Sequence, residues 1–258
     1  MSTIELEIKN QVHIIKFNRP EKFNSFNAVM AKALLHHLNA SEQDPACRCI
    51  VLTGNGKAFC AGQDLAEAID PEGPGIDTIV KAHYNPIILK IRQLKKPVIA
   101  WVNGVAAGAG ANIALACDIV VVSSLASFIQ AFSKIGLIPD SGGTFTLPRL
   151  LGMQRASALM MTGDKVSATE AVAWGLAYKC IEAHELELQG LILAHKIAAM
   201  PTAALVATKQ LLNESWNNTL ENQLEAERHA QVICAKTQDY KEGVNAFLEK
   251  RNPEFKGH

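Results

Sequence analysis

The sequence predicts an α/β fold built around a largely parallel sheet. Three observations predict it. Apolar runs of strand length alternate with helix-length segments, glycine or asparagine closes most of those runs, and after about Thr162 the strand signals give way to helical periodicity. Strands alternating with helices favour right-handed β-α-β crossovers, which cover both faces of a sheet. With 258 residues, 48% of them hydrophobic and 19% charged, the chain can bury one substantial core, or a core with a smaller appendage.

Residues 4–8 and 12–17 alternate as two strands around the turn signal KNQ at 9–11, so the chain is expected to begin as a hairpin. Asn27 can cap the next helix, where Met30, Leu34, Leu35 and Leu38 recur on one side. Residues 49–53, CIVLT, read as a buried strand ending in GNG at 54–56, followed by a loop over FCAGQDL at 59–65. PEGPG at 71–75 is the strongest loop signal, and its place before a helical stretch over 79–94 suggests a mobile, ligand-shaping segment. PVIAWV at 97–102 is the next strand. Asn103 and Gly104 turn it into GAGANIALAC at 108–117, whose small residues permit a tightly packed helix, and DIVVV at 118–122 returns as a strand. SATE at 167–170 is a capping box; from Ala183 onward the pattern is helical, with Pro201 opening a new segment. The division expected is a core over 1–195 and a helical region over 196–258. No internal period of 20 to 50 residues is present.

Lys plus Arg equal Asp plus Glu at 25 each, so no overall field recruits nucleic acid or an anionic membrane, and an anionic ligand must be held locally. No stretch approaches the ~18 uninterrupted apolar residues of a membrane span, and the N-terminus lacks the basic and apolar blocks of a signal peptide. The six cysteines form no CxxC pair and several sit in apolar runs, which fits a reduced cytoplasmic setting and gives no zinc pattern. Neither a metal nor a separate cofactor is expected. The eight histidines give no triad signature; His83 and Tyr84, just after the loop, are kept as pocket lining.

Two segments share one design, FCAGQD at 59–64 and NGVAAGAG at 103–110: a strand runs out, small residues and glycine follow, and a helix begins. Each can present unpaired backbone N–H groups, and two such donors converging on one point stabilise a carbonyl oxygen that gains charge during reaction. Either segment alone reads first as a turn with close helix packing. The glycines do not have the G-x-G-x-x-G spacing of a dinucleotide site, and the phosphate-loop pattern is absent.

One carboxylate, Asp140, stands in AFSKIGLIPDSGG at 131–143, after an apolar run and before two glycines. One reading makes it a helix N-cap. The other makes it a base: Phe132, Ile135, Leu137, Ile138 and Phe145 could raise its pKa by desolvation, against the lowering effect of a helix N-terminus. A carboxylate tuned between those effects can remove a proton next to a carbonyl when the resulting enolate is stabilised.

FCAGQDL at 59–65, NGVAAGAG at 103–110 with CDI at 117–119, GLIPDSGG at 136–143 and EGVNAFLEKR at 242–251 together resemble the enoyl-CoA hydratase/isomerase (crotonase) superfamily, in order and over essentially the whole chain. The resemblance implies the crotonase fold, a superhelix of repeated β-β-α turns with a helical C-terminal trimerisation region, assembled as a homotrimer or a hexamer. It implies an acyl-CoA thioester as partner, coenzyme A being part of the substrate, with no nucleic acid or membrane. It places the two oxyanion N–H groups on Gln63 and Ala109. CoA would lie near Lys22, Phe23, Asn24 and Ser25 and near Ala61, Asp64 and Leu65. Tyr84 and Phe132 would line the acyl pocket, and Phe247 and Lys250 would approach the CoA of a neighbouring subunit.

Family hydratases carry two glutamates that activate water, and their aligned positions here hold Asn112 and Phe132. Where hydratases usually have glycine after the Ile-Pro, this chain has Asp140. The resemblance is strongest to the 1,2-epoxyphenylacetyl-CoA isomerase branch, whose members use an aspartate at this position and in related cases move an enoyl double bond between positions 3 and 2. The expectation is therefore an isomerase of phenylacetate or fatty acid catabolism working through Asp140, with hydration weak. A 4-chlorobenzoyl-CoA dehalogenase also places an aspartate here, but with a tryptophan near the position of Phe132. A non-catalytic CoA-ester binder and an RNA-binding relative are the remaining alternatives; the retained acid and the neutral charge count against them.

Overall fold

The computed structural model describes residues 2–258. It opens with an antiparallel hairpin of β1 (Ile4–Lys9) and β2 (Val12–Phe17), turning at Asn10 with φ 55°. Asn27 caps α1 (Ala28–Gln43): its side-chain oxygen accepts from the Met30 N–H at 3.0 Å. Met30, Leu34 and Leu38 form the buried side of that helix, with Leu35 packed at its margin.

A strand, a short second strand and a helical stretch then follow one another three times. The first unit is β3 (Cys49–Gly54), β4 (Ala58–Cys60) and a helical run made of α2 (Leu65–Ala68), α3 (Gly75–Thr78), a π-helical turn over Ile79–Tyr84 and α4 (Asn85–Gln93). The second is β5 (Val98–Val102), β6 (Val105–Ala107) and α5 (Ala109–Ala116). The third is β7 (Ile119–Ser123), β8 (Ser127–Ile129), a 3-10 turn over Ala131–Ile135 and α6 (Gly143–Leu151). The chain continues through α7 (Met153–Thr162), β9 (Lys165–Ser167), α8 (Ala168–Trp174) and β10 (Lys179–Ile181). It ends in α9 (Leu186–Ala198), α10 (Thr202–Glu214), α11 (Leu220–Cys234) and α12 (Gln238–Glu249).

In each unit the first strand joins one sheet and the second strand another. The larger sheet has the order β1-β2-β3-β5-β7-β10 and is parallel from β2 onward; the smaller has the order β4-β6-β8-β9. Residue composition alone suggests a single sheet and a loop over 59–65. The correction is that residues 58–60, 105–107 and 127–129 pair with one another, in strands too short to show an alternating pattern.

The larger sheet is apolar on both faces, and its period of two sorts the residues into two cores. Ile50, Leu52, Val98, Ala100 and Val120 pack toward α1, α4 and α5, whereas Val51, Ile99, Trp101 and Val121 pack against Leu186, Ala194 and Ala198 of α9. Gly190 lets α9 lie on the Trp101 ring, since a Cβ there would meet the indole at 2.7 Å. The capping box at α8 forms as expected, with Ser167 and Glu170 bonding each other's backbone N–H. The boundary expected at 195/196 falls inside α9; the helix runs to Ala198 and the break comes at Pro201.

Lys209 of α10 ties the C-terminal helices to the core. Its Nζ donates to the Ile91 carbonyl at 2.7 Å and to Asp118 Oδ2 at 2.8 Å, and Asp118 Oδ2 also accepts from the Val98 N–H. No residue of α11 is buried, and its Leu220, Leu224, Val232 and Ile233 stand exposed in the single chain. No single helix among the described residues is long and apolar enough to cross a membrane.

Candidate active site

The ends of the first two units meet because glycines let their backbones touch. Phe26 and Gln63 form an isolated parallel bridge: the Phe26 N–H donates to the Gly62 carbonyl at 2.7 Å, and the Asp64 N–H donates to the Phe26 carbonyl at 2.8 Å. In such a bridge the middle residue keeps its own N–H on the opposite side. Gln63 therefore turns its N–H away from Phe26. Gly62 has φ 93°, and a Cβ there would lie 3.0 Å from the Ala107 carbonyl oxygen and 3.6 Å from the Ala109 nitrogen. Gly108, with φ 52°, starts α5, so Ala109 is its first residue and its N–H has no intrahelical acceptor. The N–H groups of Gln63 and Ala109 have no backbone acceptor among the described residues outside the regular elements. Two free donors on neighbouring backbones can grip one carbonyl oxygen.

The Gln63 side chain is held from both ends. Tyr84 OH donates to its Oε1 at 2.9 Å, its Nε2 donates to Glu67 Oε2 at 2.9 Å, and Glu67 Oε1 accepts from the Ala28 N–H at 2.9 Å. Tyr84 is buried on the π-helical turn, and burial pushes its phenol well above the ordinary value, with the Cys60 thiol and the Asp140 carboxylate adding to the rise. His83 beside it is buried, and its Nδ1 has no partner among the described residues.

Asp140 follows the 3-10 turn of the third unit, and it is not an N-cap. The N-cap of α6 is Gly142, without a side-chain bond, and Asp140 Oδ1 instead accepts from Ser141 Oγ at 2.8 Å. Burial raises the Asp140 pKa above the usual carboxylate value, outweighing the Ser141 hydroxyl and its own backbone N–H, which lower it. The apolar shell expected around it is only partly right. Phe132 is buried, but Ile135, Leu137, Ile138 and Phe145 are exposed, Ile138 by 80%. The two glycines that follow the acid pack on helices distant in sequence: a Cβ on Gly142 would touch Ile88 of α4 at 3.6 Å, and one on Gly143 would meet Asn112 Nδ2 of α5 at 2.5 Å. Phe132 lies against the start of α5, its ring 3.6 Å from where a Gly108 Cβ would stand. Asn112 is buried and donates through Nδ2 to the Asp140 carbonyl at 2.8 Å.

The two segments expected near CoA lie side by side. The Ala61 N–H donates to the Phe23 carbonyl at 3.0 Å, while Arg19 donates to the Ser25 carbonyl through Nη1 and pairs with Asp64 Oδ2 at 2.8 Å through Nη2. Lys22, Phe23, Ala61 and Leu65 are exposed there. Asn24 is fully buried: its Nδ2 donates to the Asn55 and Ala58 carbonyls and its Oδ1 accepts from the Arg19 N–H, so it shapes the loop rather than facing a ligand. Asp64 also caps α2 through the Ala66 N–H. Phe247, 82% exposed on α12, and Lys250 just after it make none of the contacts described above. Arg19, Glu67, Gln130 and Ser141 were not singled out from the sequence. Only Ser141, adjacent to the acid, carried a local signal.

The family described as enoyl-CoA hydratase/isomerase matches residues 7–258. The chain is 45% identical over 260 residues to the 1,2-epoxyphenylacetyl-CoA isomerase of Escherichia coli K12, covering 100% of this chain and 99% of that protein. It is 34% identical over 257 residues to the 2,3-dehydroadipyl-CoA hydratase of the same organism, covering all of both chains. The crystal structure of an enoyl-CoA hydratase from Bacillus anthracis superimposes with a TM-score of 0.93 at 34% identity, covering 99% of this chain and 100% of that one.

Proposed function

The chain belongs to the enoyl-CoA hydratase/isomerase family, and on that premise we propose that it is an acyl-CoA isomerase that moves protons with one aspartate. Isomerase or hydratase chemistry is the range the family and its relatives support. One observation carries the choice between them. The carboxyl on offer is Asp140, half-buried, with a raised pKa and with its backbone bonded to α5, the helix that begins at the unpaired Ala109 N–H, while the positions of the hydratase glutamates hold an amide and a phenyl ring. Asn112 and Phe132 can neither ionise nor activate water as a base.

In the proposed reaction the thioester oxygen sits between the N–H groups of Gln63 and Ala109, and Asp140 removes a proton from C2 of a 3-enoyl-CoA. The C2–H electrons delocalise through the double bond onto the thioester oxygen as a dienolate. Asp140, now protonated, returns the proton to C4, and the double bond lies between C2 and C3. No atom is gained or lost. In 1,2-epoxyphenylacetyl-CoA the C–C bond shared by the epoxide and the six-membered ring breaks while both C–O bonds stay, and moving the proton from C2 to a ring carbon through the same enolate gives oxepin-CoA, so this isomerisation is the second form of one chemistry. Burial makes Asp140 a stronger base than an exposed aspartate, and the two donors lower the energy of the charge it creates. The exposed apolar side chains of α11 and α12 support assembly of several copies, as a trimer or a pair of trimers.

The reading is tested by giving the protein 3-hexenoyl-CoA, 2-hexenoyl-CoA and 1,2-epoxyphenylacetyl-CoA in parallel. Isomerisation of the first or third at least 100-fold faster than hydration of the second is the expected result. Hydration as the fastest reaction would replace this proposal with a hydratase.

A further inference from the structure

We propose, resting on the assignment of proton transfer to Asp140, that Asn112 is the positioning residue for that carboxylate, acting through the backbone of the acid. Asn112 is 3% exposed on α5, and its Nδ2 donates to the Asp140 carbonyl oxygen at 2.8 Å. The Gly143 N–H donates to the same oxygen at 2.9 Å, so two donors from two elements fix the peptide that follows the acid. Grip is needed at this point because Ser141, with φ 51°, and Gly142, with φ 73°, both take the left-handed conformation, which a serine adopts only when its surroundings hold it there. Ser141 in turn presents its hydroxyl to Asp140 Oδ1.

The sense of the Asn112 amide is dictated by the Asp140 carbonyl. A carbonyl oxygen only accepts, so Asn112 must turn its NH2 toward Asp140 and its oxygen the other way. That oxygen accepts from Gln130 Nε2 at 2.9 Å, and Gln130 is itself buried. The result is a directional chain of two amides ending on the backbone of the acid. Gly143 belongs to it too: a Cβ there would meet Asn112 Nδ2 at 2.5 Å, so any larger residue would push the amide off the carbonyl.

A carboxylate at position 112 presents only oxygens to the Asp140 carbonyl, and its repulsion would free the loop that carries the acid. The residue that hydratases use as a base is therefore incompatible with this chain's way of holding its own base.

The test compares Asn112→Asp, Gly143→Ala and Asp140→Asn with the unaltered protein on 3-hexenoyl-CoA, following kcat, KM, thermal midpoint and the pH dependence of kcat/KM. Asn112→Asp keeps shape and replaces the donor with an acceptor; Gly143→Ala keeps both amides and displaces one. Both should lower kcat by roughly 10- to 100-fold, the range for misplacing a reacting group by about 1 Å, with KM changed less than threefold. In Gly143→Ala, which adds no charge, the acid limb of the pH profile should move toward the ordinary aspartate value as water reaches the loosened carboxyl; in Asn112→Asp the added carboxylate pushes the limb the other way. A purely structural role would lower the thermal midpoint or the active fraction and leave that limb in place. If Gly143→Ala keeps an unmoved limb and full kcat, the proposal is overturned, whether or not Asn112→Asp folds. Asp140→Asn that still isomerises would instead remove the assignment on which it rests.

Discussion

Replacing Ala109 by proline removes one backbone donor while asking little of the fold. Ala109 is the first residue of α5, where the N–H has no intrahelical partner and the fixed φ of proline suits a helix start. The preceding residue, Gly108, has ψ −128° and no Cβ, so it avoids the clash that proline imposes on an α-helical predecessor. A lost oxyanion donor costs about 3 to 4 kcal/mol of transition-state stabilisation, a fall in rate of roughly 100- to 1,000-fold. The proline ring carbon also enters the space where the oxygen would bind, so that figure is a lower bound on the loss in kcat/KM. Steady-state kinetics on 3-hexenoyl-CoA measure it, with a thermal scan as control. A destabilisation of 1 kcal/mol moves the midpoint of a protein of this size by roughly 2 to 4 °C. A folded Ala109→Pro variant within threefold of the unaltered rate would refute the placing of the thioester oxygen at this N–H.

Tyr84→Phe removes the donor to Gln63 Oε1 and leaves the rest of the Gln63 and Glu67 network in place; kcat should fall by roughly 5- to 20-fold with one hydrogen bond lost at a positioned group, and an unchanged kcat would contradict the link. Asp140→Asn should raise the thermal midpoint at neutral pH, because the ionised carboxyl is desolvated in the fold. Since its folded pKa is raised, the advantage of the amide is fullest above that folded value and vanishes below the unfolded value of 3.8, where both states carry the proton; thermal scans across that range check the sign. Lys209→Ala leaves Asp118 without its buried cation and should destabilise the protein by about 3 kcal/mol, measured by urea unfolding.

The larger sheet was legible because its strands are long enough to read as apolar runs, as in residues 49–53 and 97–102, and α1 and α8 were legible because Asn27 and Ser167 supply caps. The smaller sheet was not, since residues 58–60, 105–107 and 127–129 are too short to show a period and are defined by pairing across the chain. Within the site, the glycine segments could be read as donors but not as neighbours; only their contact at Gly62 and Ala109 joins them. Asp140 could be read as a cap or as a base, and the cap geometry of α6 removes the first reading. Its apolar shell was legible only in part: Phe132 is buried, but Ile138 is exposed, Phe145 packs on Trp216, and the glycines after the acid meet α4 and α5, elements distant in sequence. Asn24 and Asn112 show the same limit. Their amides are committed to backbone carbonyls that no local pattern reveals.

The rate of 3-enoyl-CoA to 2-enoyl-CoA conversion by Asp140→Asn tests most directly whether one aspartate carries the proton. The amide keeps the shape and the Ser141 contact but cannot accept a proton, so the rate should fall by about 100- to 10,000-fold while the substrate still binds. Isomerisation within tenfold of the unaltered protein would show that another group moves the proton.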